Sequence, residues 1–434
     1  MSLHVVKNAS CVFCGCVCDD IEVHADETRV VRAEMACSIG EAWFKAHTAE
    51  RSAPEALIEG QPASVADAVA AAVGFLDAAH MPLIYGLGNL ASEAQREAVH
   101  LAEIVGGSID SQSSLSHGAT EIASQLNGKL TCTLGEVKNR ADLVIYWGCN
   151  PAESHPRHFT KYAVTPKGKF TPNGRKDRTV VLVDVRETKS AAAADIVLQI
   201  KPGADFEAIT VMRALIKGSP VNRERCGDLG ISFAQLQDLV RRMKAARFGI
   251  LFFGTGLPMT RGKHMNSAAI MSLATELSAF TKFAAMPMRG HGNVTGADVI
   301  MRFTLGYPFG VNLSRGYPRY NPGEFTAVDL LGRGEVDAVL IAGADPAATM
   351  PRRAVEHLRR VPTIVLGPRV SDTSRLARVH ITTAVTGISA PGTVYRMDRV
   401  PLPLRPVLTS AYPTDEDILR QMVARATKVS TWMP

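Results

Sequence analysis

Five of the eight cysteines lie within the first 37 residues. Cys11, Cys14 and Cys18 follow the spacing C-x2-C-x3-C, and Cys37 comes after eighteen further residues, just beyond a hairpin predicted from segments 21–23 and 29–34. Four thiolates at such spacing can wrap a cuboidal 4Fe–4S cluster, whose soft irons prefer sulfur, or close a tetrahedral zinc site. Spacing does not choose between the two, and a set of buried thiols holding no metal is the third reading. Cys16 adds a fifth thiol inside the same loop, as a spare or an alternate ligand. The opening MSLHVVKNAS lacks the apolar stretch of a secretory signal, so the crowding is read as metal or redox chemistry ahead of disulfides, in a cytoplasmic protein.

Elsewhere the chemistry thins out. Cys149 ends a predicted strand and could act as a nucleophile, but within GCNP it reads better as turn packing. His155 and His158, in SHPRH, could approach a metal, yet no carboxylate partner is evident and a structural or interface role is expected. No Ser-His-Asp set emerges. Segment 164–178, VTPKGKFTPNGRKDR, carries five basic residues against one acidic, and is read as a solvated loop with anion contact as the alternative.

The elements that hold these residues follow from size and pattern. At ~150 residues per domain, 434 residues suggest about three domains, or two large ones. A content of 46% hydrophobic and 21% charged residues excludes disordered, collagen-like and coiled-coil chains. No apolar run approaches the ~18 residues of a membrane span. The net charge of +6 is too dilute to suggest a nucleic-acid partner, though it suits a polyanionic small molecule. Short β-branched runs alternate with helical patterns at βαβ spacing, which predicts α/β architecture with parallel, doubly wound sheets. One layer is expected from strands at 82–86, 142–147, 179–184 and 195–200, with helices capped by Ser64 (with Asp67) and Ser92 (with Gln95). A second is expected from strands at 248–254, 337–342 and 362–366. The resulting domains are a Cys-rich head at 1–55, α/β domains at 56–220 and 221–390, and at 391–434 a proline-rich arm ending in a helix capped by Thr414 and Asp417.

CVFCGCVCDDIEV at 11–23, followed by Cys37 and Gly40, resembles the head of the B-type subunit family of formylmethanofuran dehydrogenase, within the molybdopterin oxidoreductase superfamily. Further blocks fall in family order over nearly the whole chain: WGCNPAESHPRHFTKY at 147–162, Asp184-Val185-Arg186, Asp195, Pro202-Gly203-Ala204-Asp205, Gly254-Thr255-Gly256-Leu257, Arg289-Gly290-His291-Gly292-Asn293 and Gly343-Ala344-Asp345-Pro346. The resemblance implies Rossmann-like domains of the formate dehydrogenase type. It also implies that Asn150, Asp184, Arg186, Gly254, Gly256, His291, Asn293 and Asp345 occupy positions that hold two pterin guanine dinucleotides around tungsten or molybdenum. Glycine turns and carboxylates at the C-terminal ends of parallel strands suit that task, since glycine lets amides approach a pyrophosphate and a carboxylate accepts from ribose or guanine. An ordinary turn or helix cap is the plainer reading of any single one.

One position departs from the family. Where the dehydrogenases ligate the metal through a cysteine in a Ser-rich segment followed by His-Gly, this chain reads Ser113-Ser114-Leu115-Ser116-His117-Gly118. A hydroxyl is a far weaker acid than a thiol, and a soft low-valent metal prefers sulfur. Ser116, with His117 and Arg289, therefore reads as a remnant active site, expected to be inactive and to lack molybdopterin or tungstopterin. Because some superfamily members ligate molybdenum through serine, the alternative is an active dehydrogenase subunit. In it Ser116 is the ligand, His117 and Arg289 position formate, and the cysteine cluster relays electrons. A molybdopterin-type enzyme with an unrelated substrate is a third possibility.

The chain also looks similar to the beta subunits of bacterial formyltransferase/hydrolase complexes of methylotrophs. There, formyl-tetrahydromethanopterin yields formate by way of a methanofuran-like carrier. That similarity implies a non-catalytic scaffold in one-carbon metabolism, assembled with an amidohydrolase-like alpha subunit and with gamma and delta formyltransferase subunits. Superfamily enzymes of full size carry a further C-terminal β-barrel, which a partner is expected to supply. The polyglutamyl tail of such a carrier makes Lys167, Lys169, Arg175 and Lys176 candidate contacts.

Overall fold

The β-branched runs form strands, and those at the sheet centres are buried on both faces, as parallel sheets with helical crossovers require. They do so in two units of the computed structural model, which describes residues 3–49 and 53–427: Met1–Leu115 with His291–Pro434, and Ser116–Gly290.

The unit Ser116–Gly290 carries a wholly parallel sheet in the spatial order Ile196–Gln199, Thr179–Asp184, Leu143–Trp147, Phe248–Phe253, Lys282–Pro287. In sequence terms this is the order 3-2-1-4-5, which reverses direction between Leu143–Trp147 and Phe248–Phe253. Ligands of open α/β sheets bind beyond the strand ends at such a reversal. Ile145, Trp147, Val181, Val183, Leu251 and Phe253 pack against helices Asp205–Lys217, Phe233–Ala245 and His264–Leu277. Each large side chain so buried contributes about 1.5–3 kcal/mol.

The other unit has a nine-stranded sheet. Its centre is parallel: Ser108–Ser111, Pro82–Gly86, Ala338–Ala342, Thr363–Gly367, Val379–Thr382. Antiparallel strands finish both edges, Val311–Asn312 with Arg319–Tyr320 on one side and Ala56–Ile58 with Gln61–Ala63 on the other. Alternation sends Ile84, Leu340 and Ala342 toward a core that includes residues of helices Val65–Ala78, Ser92–Val105 and Asp415–Arg425. Leu83, Tyr85, Val339 and Ile341 go to the core under Ala327–Arg333 and Arg352–Leu358. A separate antiparallel sheet of His4–Ala9, Ile21–Ala25 and Val30–Glu34 holds the cysteine loop between its first two strands.

The expected grouping of strands does not form. Pro82–Gly86 pairs with Ala338–Ala342, and Leu143–Trp147 pairs with Phe248–Phe253. Reading layers as consecutive stretches hides this, because Ser116–Gly290 is inserted whole between strands of one sheet, and residue 220 falls inside the insert. Capping is met at Ser64, whose Oγ accepts from the Asp67 amide at 3.1 Å, and at Thr414, which forms a reciprocal box with Asp417. It is not met at Ser92. The helix there starts from Ala91 without a side-chain cap, and the buried Ser92 Oγ accepts from Asn293 Nδ2 at 3.0 Å. The proline-rich arm pairs with itself as a hairpin, Gly392–Tyr395 with Pro401–Leu404, whose two strands are both edges and so tolerate Pro401 and Pro403. Among the described residues no helix is long and apolar enough to cross a membrane.

Candidate functional site

The cysteine loop is held by its own backbone. The Cys11 amide donates to the Cys18 carbonyl at 2.9 Å, and the Val17 amide to Cys14 at 3.1 Å. Val17 is fully buried at φ 36°, a left-handed conformation that a β-branched residue adopts only when its surroundings impose it. Cys37 caps helix Ser38–Lys45, its Sγ accepting from the Gly40 amide at 3.4 Å. A Cβ on Gly40 would stand 3.3 Å from Cys11 Sγ and 3.7 Å from Cys37 Sγ, so glycine is what lets this turn close on both thiols. Burial pushes the Cys11 thiol up, and the nearby Cys14, Cys18 and Cys37 thiols add to the push. Cys16 stands apart: its thiol donates to Cys14 and draws the Cys14 thiol down.

The spread of these sulfurs bears on what they could hold. Zn–S bonds of about 2.3 Å set tetrahedral sulfurs about 3.8 Å apart. Among the described residues no three of these thiols lie within 4.8 Å of one another. A cuboidal cluster keeps its four sulfurs farther apart, and the donor set fits it better than a single zinc ion.

In the unit Ser116–Gly290, part-buried Ser116 leads into helix Gly118–Asn127, and His117 lies at the helix start. His117 Nε2 is 3.3 Å from the Met288 carbonyl and Nδ1 is 3.1 Å from Thr120 Oγ1. A carbonyl only accepts, so Nε2 carries the proton and Nδ1 accepts from Thr120. Arg289 Nη2 donates to Glu121 Oε1 at 2.6 Å, and the Arg289 carbonyl accepts from His155 Nε2 at 2.7 Å. The structure thus brings His117, Arg289 and His155 onto a common frame within this unit. His158 lies elsewhere in it, fully buried with its Nδ1 3.0 Å from the Tyr146 hydroxyl. Desolvation pushes the Cys149 thiol up and away from nucleophilic use.

The strand ends at the reversal are close together. A Cβ on Gly256 would fall 2.7 Å from the Gly148 carbonyl, and one on Gly254 would fall 2.5 Å from it, so these glycines are required by loop contact alone. Asn150 Oδ1 accepts from Ser190 Oγ at 2.7 Å, fixing the loop after Leu143–Trp147. Asp184 is half-buried at its strand end, held up chiefly by desolvation, and accepts from the Val185 amide, while Arg186 is exposed beside it. Asp205 accepts from Trp147 Nε1 at 2.8 Å, and its second oxygen is buried without a hydrogen-bond partner. An exposed arginine, a strand-end carboxylate and close-set glycines fit a dinucleotide. Ser116 offers a metal only a hydroxyl.

His291, Asn293 and Asp345 belong to the other unit, where a cavity of about 390 Å³ opens at the C-terminal ends of its central strands. Its wall includes Phe13 of the cysteine loop, Asn89, His291, Asp345 and Arg369. His291 sits at φ 37° with its ring edge-on to Phe13. Asn293 Nδ2 donates to the Leu90 carbonyl and Ser92 Oγ, and its Oδ1 accepts from the Tyr395 amide. Asp345 accepts from the Thr373 amide at 2.9 Å.

No protein-family model matches the sequence. The chain is 42% identical over 429 residues to the B-type subunit of the tungsten-containing formylmethanofuran dehydrogenase 2 of Methanocaldococcus jannaschii, covering 97% of this chain and 98% of that one. The chain belongs to the B-type subunit family of formylmethanofuran dehydrogenase. It is also 26% identical over 340 residues to the B-type subunit of the formyltransferase/hydrolase complex of Methylorubrum extorquens, covering 78% of this chain and 88% of that one. A crystal structure of that organism's complex, with methylofuran, contains a chain that superposes with a TM-score of 0.71 at 24% identity over 86% of this chain and 98% of its own. Partial matches to formate dehydrogenase and nitrate reductase chains place the fold among the molybdopterin oxidoreductases.

The sequence motifs of this family do not single out Glu121, the buried carboxylate facing Arg289. Its signal was available: His117 and Glu121 are one helical turn apart. Nor do the motifs single out Glu22, His24 and Glu34, whose convergence depends on hairpin register. Of the basic segment, Arg178 is buried and donates to the Pro166 and Lys138 carbonyls and Arg175 is paired with Asp195, which leaves Lys167, Lys169 and Lys176 exposed.

Proposed function

We propose that the chain is the B-type component of a multi-subunit one-carbon complex acting on a formyl group carried by a methanofuran-type cofactor, and that its own oxidoreductase position is silent. The observation that carries this reading is Ser116, a hydroxyl where the family's metal-binding thiolate belongs. Its neighbours are turned to structural use: His117 is bonded to Met288 and Thr120, and Arg289 to Glu121. Cys11, Cys14, Cys18 and Cys37 hold a 4Fe–4S cluster, which serves here to fix the N-terminal loop. The chain's role is to position an amidohydrolase-like alpha subunit and formyltransferase gamma and delta subunits, and exposed Lys167, Lys169 and Lys176 suit a polyanionic carrier tail.

The full-length identity to subunits of tungsten-containing dehydrogenases favours a second reading, an active dehydrogenase with Ser116 as ligand. Elemental analysis and a pterin assay on the complex purified without oxygen separate the two. The expected result is about four irons per chain, with neither tungsten, molybdenum nor pterin. Stoichiometric tungsten or molybdenum with pterin overturns the first reading and establishes the second.

A further inference from the structure

Strands Ile21–Ala25 and Val30–Glu34 pair so that Glu22 stands directly opposite Glu34 and His24 opposite Arg32. Like charges facing each other across an antiparallel pair are destabilising unless a cation lies between them. The imidazole completes the set: His24 Nε2 is 3.3 Å from Glu22 Oε1 and 3.5 Å from Glu34 Oε1. One nitrogen and two carboxylate oxygens thus converge within 4.8 Å, and the His24 side chain is only 15% exposed, so its ring is held in place.

We propose that Glu22, His24 and Glu34 form a binding site for a borderline divalent cation such as Zn2+, distinct from the cysteine cluster. Three protein ligands of N, O and O type leave a fourth position to water, the pattern of an open zinc site. A cationic group already marks the place. The Arg32 guanidinium bonds to Glu34 Oε1 and comes within 3.5 Å of His24 Nε2, the same two atoms that ligate the metal in this proposal. Arg32 is 57% exposed, so it swings into solvent when the metal arrives. Lys7, 3.6 Å from the outer oxygen of Glu22, leaves the inner oxygen to the cation.

Cysteines left without their cluster would compete for Zn2+, so the test compares cluster-loaded chains that differ only at this sheet. Zn2+ equivalents and affinities are measured by calorimetry for the wild type, His24→Gln and Arg32→Gln. The expected result is one equivalent fewer, or affinity for that equivalent lower by about tenfold or more, in His24→Gln. Arg32→Gln binds the same equivalent more tightly, because a competing cation is gone, and an unfolded variant cannot produce that gain. Equal binding by wild type and His24→Gln, or no tightening in Arg32→Gln, overturns the site.

Discussion

Glu121 and Arg289 are 1% and 3% exposed and are bonded to each other. Breaking such a pair leaves an uncompensated buried charge, at a cost of about 3–5 kcal/mol, whereas replacing both partners with apolar residues is often close to neutral. Glu121→Leu is therefore expected to lower the stability of this unit by that amount in urea titrations, and Glu121→Leu with Arg289→Met to regain most of it. Two buried histidines of the same unit set a pH dependence. Burial holds His117 and His158 down at about 3, with the Arg289 charge adding to the effect on His117 and His155 adding to that on His158. Below the ordinary imidazole value near 6.5 the unfolded chain takes up protons that the folded chain refuses. Stability then falls as pH drops from about 6.5 toward 3. Urea midpoints measured across that range should decline, and the decline should shrink in His158→Phe.

At the scale of elements, the close approach of two strand-end loops depends on glycine. Gly256→Ala brings a methyl to 2.7 Å from the Gly148 carbonyl and should cost about 1–3 kcal/mol of stability. Gly74, inside helix Val65–Ala78 with open space around its missing Cβ, gives the contrast: Gly74→Ala should stabilise by about 0.5–1 kcal/mol. Thermal melts of the two variants test both signs. Strands written as short, wholly apolar runs were legible, as at Leu143–Trp147, whereas Ser108–Ser111 and Val379–Thr382, with polar residues in the strand, were not. Ser92 misled because its spacing to Gln95 mimics a capping box, while the hydroxyl is engaged by Asn293, about two hundred residues away in sequence. Tertiary bonds of that kind leave no local trace. The same is true of Glu22, His24 and Glu34, whose meeting depends on which residues the hairpin sets opposite one another.

At the scale of the molecule, the insertion of Ser116–Gly290 within the chain of the other unit has a kinetic meaning. Pro82–Gly86 cannot find Ala338–Ala342 until the ribosome has made the whole insert, so the nine-stranded sheet is a late event. The insert needs nothing downstream for its own sheet, and once folded it joins its two ends through the His117–Met288 hydrogen bond. A loop of 175 residues, Ser116–Gly290, is thereby shortened to a few, which removes about 3–4 kcal/mol of closure entropy from the pairing that follows. Pulsed hydrogen exchange during refolding should show amides of Leu143–Trp147 protected before those of Pro82–Gly86. The insert then acts as an internal folding template, and sequence changes deep within it alter how fast a distant sheet assembles.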